Sequence, residues 1–366
     1  MAKKQQKEAI FTPIGHNTSN NGKMDKAVTL PDPTKKSYKD LGLTKKDLVG
    51  MFESMQQQRR FEERAMQMYQ KGKFGGFLHL YIGQEAISTG SVWAMNDDDD
   101  IITAYRDHGW GMVRGVTPEQ GMAELYGKSA GCSKGKGGSM HFANVKEHFW
   151  GGFGIVGGHI PLGTGIAFSN KYQDSSRVTA CYIGDGAVHQ GVLHEVMNMA
   201  QLWKLPVIYV VENNGYAMGT AAHRHSTGEI VDRADGYGMK KAVINGMDVL
   251  TVYEQMKEIV DDVRKHSEPW FVEIRTYRYR GHSMSDPQKY RTKEELQEYQ
   301  KIDPVARLRS YILKNKVSTE KKLSEIEEKI EKKILDAIEF AENAEAPAPE
   351  ALYEDMFSEE NPVFHQ

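Results

Sequence analysis

Two apolar runs joined by one helix-like segment constrain the fold of this chain more than any other feature. The first run, RVTACYI at residues 177–183, ends in the turn GDGAVHQG. A helical stretch, GVLHEVMNMAQLWK, follows, and then a second apolar run, PVIYVVENN at residues 206–214. Because both runs are apolar throughout, they predict parallel strands buried on both faces, with the helix as their crossover. The expected fold class is therefore α/β, a mostly parallel sheet with helices on both faces.

Composition and cysteine usage exclude several classes of protein. The chain has 47 Lys+Arg and 50 Asp+Glu residues, a formal charge of -3, which favours neither nucleic acid nor a membrane as partner. The two cysteines, Cys132 and Cys181, are far apart and lack the spacing of a disulfide framework, which indicates a reducing compartment. No apolar run is long enough to span a bilayer, and the start MAKKQQKEAI resembles neither a signal peptide nor a transit peptide. We expect a soluble, cytoplasmic protein of bacterial type.

The sequence divides into three regions. Residues 1–40, which include NTSNNGK and LPDPTKK, lack periodicity and predict a mobile amino-terminal arm. The main domain is expected over residues 41–315, and its first helix begins where Thr44 can cap and Asp47 can reach back to it. Residues 316–366 predict a carboxyl-terminal helix and tail. The apolar stripe of that helix is Leu323, Ile326, Ile330, Ile334 and Ile338, and EAPAPE ends it.

Polar residues follow the two predicted strands at the points where they end. Asp185 comes after the first strand and Asn214 after the second, so both should lie at the carboxyl edge of the sheet, where open parallel sheets bind ligands. With the backbone carbonyl of Tyr216 they offer three oxygen donors, a set that suits Mg²⁺ bound to a diphosphate. Taken singly, each residue favours a structural role, with Asp185 capping the next helix and Asn214 holding a turn.

The combined pattern, GDG followed by one helix, one strand and NN, resembles the fingerprint of thiamine diphosphate enzymes. Further stretches resemble the alpha subunits of pyruvate dehydrogenase, the decarboxylating component of 2-oxo acid dehydrogenase complexes: FLHLYIGQEA, ITAYRDHGWGMVRG, GKGGSMH, GGFGIVGGHIPLGTGIA, NMAQLWKLPVI and YRYRGHSMSDP. The resemblance covers about residues 41–304 and leaves the arm and the last helix outside it. It implies a thiamine diphosphate-binding fold, to which the helix predicted from the apolar stripe adds a carboxyl-terminal helical extension.

The resemblance also implies roles for individual residues. His79 and His282 are expected to be catalytic, at the substrate and the lipoyl group. The metal would be held by Asp185, Asn214 and Tyr216. The remaining cofactor contacts are expected from Tyr105 and Arg106 on the diphosphate, Gly154 and Val156 at the aminopyrimidine ring, Gly186 and Ala187 in the GDG turn, and Arg278 with His282 in a closing loop.

The implied reaction is the oxidative decarboxylation of pyruvate with reductive acetylation of the lipoyl group of a dihydrolipoyl acetyltransferase. In this family the glutamate that contacts the aminopyrimidine belongs to a beta subunit, and we assign no residue here to that role, although Glu85 is a candidate acid. We therefore expect a heterotetramer of two alpha and two beta chains. The alternatives are an alpha subunit for branched-chain 2-oxo acids or acetoin, and a non-catalytic assembly subunit.

Two glycine-rich motifs do not support nucleotide binding. Gly152, Gly154 and Gly157 satisfy G-x-G-x-x-G, but no buried strand is predicted before them. GCSKGKGGS has the wrong glycine spacing for a P-loop and has Gly137 after the lysine in place of Ser or Thr. The glycine density of residues 127–165 nevertheless predicts close approach of the backbone to a ligand or to another subunit.

Overall fold

A six-stranded parallel sheet forms the centre of the protein. The computed structural model describes residues 27–356. The sheet has the strand order β2-β1-β3-β4-β8-β7, and every neighbouring pair is parallel. Its strands are β1 (Asp100–Ala104), β2 (Phe149–Phe153), β3 (Thr179–Gly184), β4 (Val207–Asn213), β7 (Lys240–Asn245) and β8 (Trp270–Arg275). Two short strands, β5 (Tyr216–Ala217) and β6 (Thr220–Ala221), form a separate antiparallel pair.

Helices surround the sheet. They are α1 (Lys45–Gln70), α2 (Glu85–Ala94), α3 (His108–Val113), α4 (Pro118–Leu125), α5 (Ile160–Tyr172), α6 (Gly191–Trp203), α7 (Ala222–His225), α8 (Val249–His266), α9 (Lys293–Gln300), α10 (Pro304–Lys314) and α11 (Glu320–Asn343). The predicted start of α1 is confirmed, since Thr44 and Asp47 form a capping box. Within residues 27–356, none of these helices has the length and apolar character that crossing a membrane requires.

Alternate residues of the central strands enter two different cores. In β3, Ala180 and Tyr182 pack into the core that also contains residues of α8, whereas Cys181 and Ile183 pack into the core formed with α5 and α6. All four side chains are fully buried. A strand that is apolar on both faces needs cover on both faces, and the helices supply it. The predicted α/β fold with helices on both sides of a mostly parallel sheet is confirmed.

The predicted strand–helix–strand unit is present as β3, α6 and β4. A 3-10 turn, Asp185–His189, connects β3 to α6. In the register of the two strands Gly184 pairs with Glu212, so Asp185 and Asn214 follow neighbouring strand ends. The local sequence therefore positions both residues at the carboxyl edge of the sheet.

Residues 27–40 pack against the main domain. The backbone of Val28 exchanges two hydrogen bonds with the hydroxyl of Tyr299, at 3.0 and 2.7 Å. The N–H of Tyr38 donates to the hydroxyl of Tyr311 at 3.0 Å. This part of the expected mobile arm is docked, because Val28 and Tyr38 bury apolar side chains that the polar composition of the segment obscured. Residues 1–26 lie outside the described residues.

The last long helix, α11, is part of the fold rather than an appendage. Ile330, Ile334, Ala337 and Ala341 are buried in the main core, and α11 packs on α1 and α4. The predicted amphipathic stripe is thus confirmed. The boundaries proposed from the sequence at residues 40 and 315 remain predictions.

Candidate cofactor and active site

The predicted site residues follow the carboxyl ends of five neighbouring strands. In sheet order, Gly154 and Val156 follow β2, Tyr105 and Arg106 follow β1, Asp185, Gly186 and Ala187 follow β3, Asn214 and Tyr216 follow β4, and Arg278 and His282 follow β8. Because parallel strands all end at the same edge, these residues line one edge of the sheet. His79 is the exception, since it lies on residues 78–82, which belong to neither strand nor helix.

We call Asp185, Asn214 and Tyr216 the metal corner. Asp185 is 2% exposed, and Asn214 and Tyr216 are also buried. A Cβ atom placed on Gly186 would lie 2.8 Å from the Cβ of Ala217, so the GDG turn packs directly against β5, which Tyr216 begins. Glycine is needed here because the two backbones approach closely. The turn after β3 and the chain after β4 thus meet at the metal corner.

The donor chemistry of the metal corner fits a hard cation. The side-chain amide of Asn214 is oriented by Gln84, whose Oε1 accepts a hydrogen bond at 3.2 Å. Its own oxygen accepts from the Tyr216 N–H at a long 3.3 Å. The Tyr216 hydroxyl donates to Glu295. The Tyr216 carbonyl accepts one long hydrogen bond, from Arg278 at 3.4 Å, and keeps a second lone pair for a cation. One carboxylate, one amide and one carbonyl oxygen are ligands that Mg²⁺ accepts while it keeps positions for phosphate and water.

His225 is a neighbour of the metal corner that the sequence did not indicate. Its Nε2 lies 3.3 Å from Oδ2 of Asp185, and its Nδ1 lies 3.0 Å from Nε2 of His189. His225 sits at the end of the short helix α7, in a stretch, AHRH, that carries no motif. Residues 27–356 contain no group of three His, Cys, Asp or Glu side chains placed to hold a metal ion, so a cation at this corner would need neutral oxygen ligands as well.

The loop after β8, residues 276–291, covers the metal corner, and we call it the lid. Arg278 is fully buried and donates to the carbonyls of Tyr216 and Met218 at 3.4 and 3.0 Å, and to the Tyr290 hydroxyl at 2.9 Å. Asp286 accepts from the His282 N–H at 2.7 Å and from Tyr290 at 2.6 Å. Two basic side chains of the lid, Arg278 and Arg291, are therefore already hydrogen-bonded to backbone carbonyl groups.

His79, Tyr105 and His282 form what we call the histidine cluster. Their ring centroids lie 4.8 Å (His79 to Tyr105), 5.1 Å (His79 to His282) and 5.7 Å (Tyr105 to His282) apart. Nδ1 of each histidine is buried and has no hydrogen-bond partner among the described residues. Unpartnered buried nitrogens of this kind are suited to a ligand that brings its own polar groups. The structure thus brings together the two histidines expected to be catalytic.

Burial keeps both histidines uncharged. Desolvation, with the Arg106 guanidinium next in importance, lowers the pKa of His79 to about 2. The same two causes lower the pKa of His282 to about 4. At neutral pH each ring therefore carries a single proton and can donate through one nitrogen and accept through the other.

Arg106 joins the histidine cluster to the lid. Its Nη1 donates to the Leu80 carbonyl at 2.7 Å, and its Nη2 donates to the His282 carbonyl at 3.0 Å. Burial and the nearby Arg278 lower the pKa of Arg106 to about 10. Two of its donors are thus used on the backbone, an arrangement that the sequence could not show. Its contact with a diphosphate remains a prediction.

Gly154 and Val156 lie at the far end of the row, after the edge strand β2. Val156 is 45% exposed, and the neighbouring Ile155 is 77% exposed. A Cβ on Gly154 would lie 3.3 Å from Nε2 of His141. Among the predicted site residues, those after β2 are the most exposed to solvent. Their contacts with the aminopyrimidine ring remain predictions.

Glu85 is not free to act as an acid. Its carboxylate is buried and accepts two hydrogen bonds from Arg59, at 2.5 and 3.0 Å, and one from the Gly83 N–H at 3.0 Å. Arg59 also bonds Asp303 at 2.8 Å. Glu85 therefore holds the start of α2 in place.

The glycine-rich loop binds a carboxylate of its own chain. The backbone N–H groups of Ser133, Gly135, Gly137 and Gly138 all donate to the buried Glu124, at 2.8 to 2.9 Å. A Cβ on Gly131 would lie 2.2 Å from Oε2 of Glu124, which explains a glycine at that position. The predicted close approach of the backbone at residues 133–138 is therefore to Glu124, and the rejection of a P-loop is consistent with this geometry.

The fold places the protein among the α/β proteins built on a parallel sheet, and the predicted site residues line the carboxyl edge, where such sheets commonly bind ligands. Comparison with known proteins is more specific. The sequence model of the family described as "Dehydrogenase E1 component" matches residues 53–350, and the chain belongs to this family. The match includes α11, so the expectation that the last helix lies outside the family resemblance is wrong.

Named relatives are similar along most of their length. The pyruvate dehydrogenase E1 component subunit alpha of Rickettsia bellii is 44% identical over 314 residues, 86% of this chain and 96% of that protein. The protein of the same name from Rhizobium meliloti is 43% identical over 333 residues, 90% of this chain and 96% of the relative. The chloroplastic subunit alpha-3 of Oryza sativa is 40% identical over 327 residues, 87% and 77% of the two chains. The resemblance inferred from the motifs is confirmed.

Proposed function

We propose that this chain is the alpha subunit of a pyruvate dehydrogenase. It would decarboxylate pyruvate oxidatively and transfer the acetyl group to the lipoyl group of a dihydrolipoyl acetyltransferase. The observation that carries the proposal is the row of residues after five adjacent strands, which brings the predicted cofactor residues to one edge of the sheet. Its relatives, which cover most of the chain, are named for this activity.

The metal corner would hold Mg²⁺ and, through it, the diphosphate of thiamine diphosphate. Asp185 supplies the one negative charge, and Asn214 and the Tyr216 carbonyl supply neutral oxygens. Arg278 lies against the Tyr216 carbonyl and so stands beside the position of the phosphate groups. When bound, this cofactor supplies the electron-accepting carbon centre that decarboxylation of a 2-oxo acid requires.

The histidine cluster would bind and orient the substrate. His79 and His282 are neutral, so each can donate a hydrogen bond to a 2-oxo acid oxygen or accept a proton without first losing one. The lid, which carries His282, would exclude water from the bound substrate and so strengthen each polar contact to it. Tyr105 closes the third side of the cluster.

An exposed apolar surface on α5 and at the end of α6 favours the presence of a partner chain. Phe168 and Tyr172 on α5 stack with ring centroids 6.3 Å apart, and Trp203 at the end of α6 packs against Phe168 at 5.7 Å. Tyr172 is 84% and Leu202 is 71% exposed. Clustered exposed aromatic side chains mark a protein interface. We assign this surface to the beta subunit, which would contribute the glutamate for the aminopyrimidine ring, in a heterotetramer of two alpha and two beta chains.

Reconstitution tests the proposal. The chain, expressed with a beta subunit, should release carbon dioxide from pyruvate and acetylate a lipoyl domain when thiamine diphosphate and Mg²⁺ are present. The chain alone should do neither. A higher kcat/KM for 3-methyl-2-oxobutanoate or acetoin than for pyruvate would overturn the assignment of substrate. Full activity without a second chain would overturn the shared site.

A further inference from the structure

Besides one local hydrogen bond, from the Gln84 N–H to the Tyr81 carbonyl at 3.1 Å, the segment that carries His79 is held by groups from distant parts of the chain. Residues 78–82 belong to no strand of the sheet. On one side, the carbonyls of Leu78 and Ile82 accept hydrogen bonds from lid N–H groups at 3.0 Å each. On the other side, the N–H groups of His79 and Tyr81 donate to side chains, to Ser139 Oγ at 3.0 Å and to Glu62 Oε1 at 2.9 Å.

His108 links those two side-chain acceptors. Its Nδ1 lies 3.1 Å from Glu62 Oε1, and its Nε2 lies 3.0 Å from both the carbonyl and the hydroxyl oxygen of Ser139. Glu62 and His108 are fully buried, and Ser139 is 9% exposed. The Glu62 carboxylate can only accept a hydrogen bond, so His108 donates to it through Nδ1, while Nε2 can donate to the Ser139 carbonyl or accept from the Ser139 hydroxyl. Burial lowers the pKa of His108, but the Glu62 carboxylate outweighs burial and raises this pKa above its ordinary value. A buried ion pair is costly unless its geometry is well satisfied.

The three residues come from separate elements. Glu62 lies on α1, His108 begins α3, and Ser139 lies in the 3-10 turn that ends the glycine-rich loop. None of them touches the metal corner. This network therefore connects three elements to the backbone of one short segment. The connection is made at the N–H groups of His79 and Tyr81.

We propose that Glu62, His108 and Ser139 are positioning residues that hold the backbone at residues 79–81 and thereby aim the His79 imidazole at the substrate. The inference rests on the proposed function, because His79 is assigned to substrate there. Fixing the backbone on both sides of residue 80 limits where the His79 ring can lie relative to Tyr105 and His282. Small displacements of a group that contacts substrate are expensive in rate, up to about 100-fold for about 1 Å.

Ser139→Ala, with Ser139→Thr as its matched control, is the decisive pair. Alanine removes the acceptor for the His79 N–H, whereas threonine keeps a hydroxyl. In the reconstituted complex we expect the kcat of Ser139→Ala for pyruvate to fall about 10-fold or more. The affinity for thiamine diphosphate with Mg²⁺ should stay within about twofold, because the metal corner is a separate site. Ser139→Thr should recover most of the lost kcat.

Glu62→Gln gives an independent second variant, since it keeps the oxygen that accepts from Tyr81 but removes the charge that pairs with His108. It should also lower kcat more than cofactor affinity. The inference is overturned if either soluble variant loses cofactor affinity in proportion to kcat, or if kcat is unchanged while only the melting temperature falls. Those outcomes show a purely structural network.

Crystal structures of wild type and Ser139→Ala separate this inference from the proposed function. If the wild-type complex decarboxylates no 2-oxo acid, the proposed function fails, and the position of His79 still decides the inference. Displacement of the His79 backbone and ring in Ser139→Ala, with both restored in Ser139→Thr, supports positioning. An unmoved His79 in Ser139→Ala overturns it.

Discussion

The metal corner and the histidine cluster lie at the same edge of the sheet but are built differently. The metal corner uses residues that directly follow two paired strands, so the register of β3 and β4 brings them together. The histidine cluster uses residues 78–82, the chain after β1 and the lid, which are joined by hydrogen bonds and ring contacts between distant parts of the chain. One site is fixed by strand pairing, and the other depends on the lid. We expect the two to fail separately when mutated.

The largest effect is expected from Asp185→Ala. The metal corner would lose its only charge, and the affinity for thiamine diphosphate with Mg²⁺ should fall by more than about 100-fold, since even outer contacts of a metal site cost about 10- to 100-fold. Isothermal titration of the reconstituted complex measures this. Asp98→Ala, an exposed change just before β1 at the opposite edge of the sheet, is the control and should bind normally. Normal binding by Asp185→Ala would mean that the cofactor lies elsewhere.

A smaller and different effect is expected from Asp286→Ala. This change removes the acceptor for the His282 N–H and for the hydroxyl of Tyr290, and so loosens the lid. The kcat/KM for pyruvate should fall about 10-fold, the size expected when a closing loop is disturbed. Cofactor affinity should fall much less than in Asp185→Ala. Asp286→Asn keeps one oxygen acceptor and should be intermediate; equal losses of affinity in Asp185→Ala and Asp286→Ala would contradict the separation of the two regions.

The smallest effect concerns stability against pH. The pKa of His282 is about 4 in the folded protein, and a free histidine titrates near about 6.5, so between these values the unfolded chain binds more protons. The free energy of unfolding should therefore be highest above pH 6.5 and fall as the pH drops towards 4. Urea unfolding across this range should show a shallower decline in His282→Asn. The exposed His223→Asn serves as control and should keep the wild-type slope.

The difference between local strand pairing and contacts between distant parts of the chain also explains which residues could be predicted from the sequence. Asp185 and Asn214 were identified because strand periodicity and a short turn place them, and both signals are local. Glu62, His108 and Ser139 were missed because each looks like an ordinary polar residue, and only the fold brings α1, α3 and the glycine-rich loop together. The docking of residues 27–40 was missed for the same reason, since Val28 and Tyr38 find their partners more than 270 positions away.

The carboxylate of Glu124 occupies the ring of N–H groups in the glycine-rich loop, as a phosphate does in nucleotide-binding proteins. The anion at this loop is thus part of the chain, so dilution cannot remove it. A nucleotide phosphate could bind these N–H groups only by displacing the Glu124 carboxylate. The N–H groups of a glycine-rich segment with lysines nearby can consequently all be occupied by a carboxylate of the same chain. Searches that infer ATP binding from glycine density alone will misassign such loops.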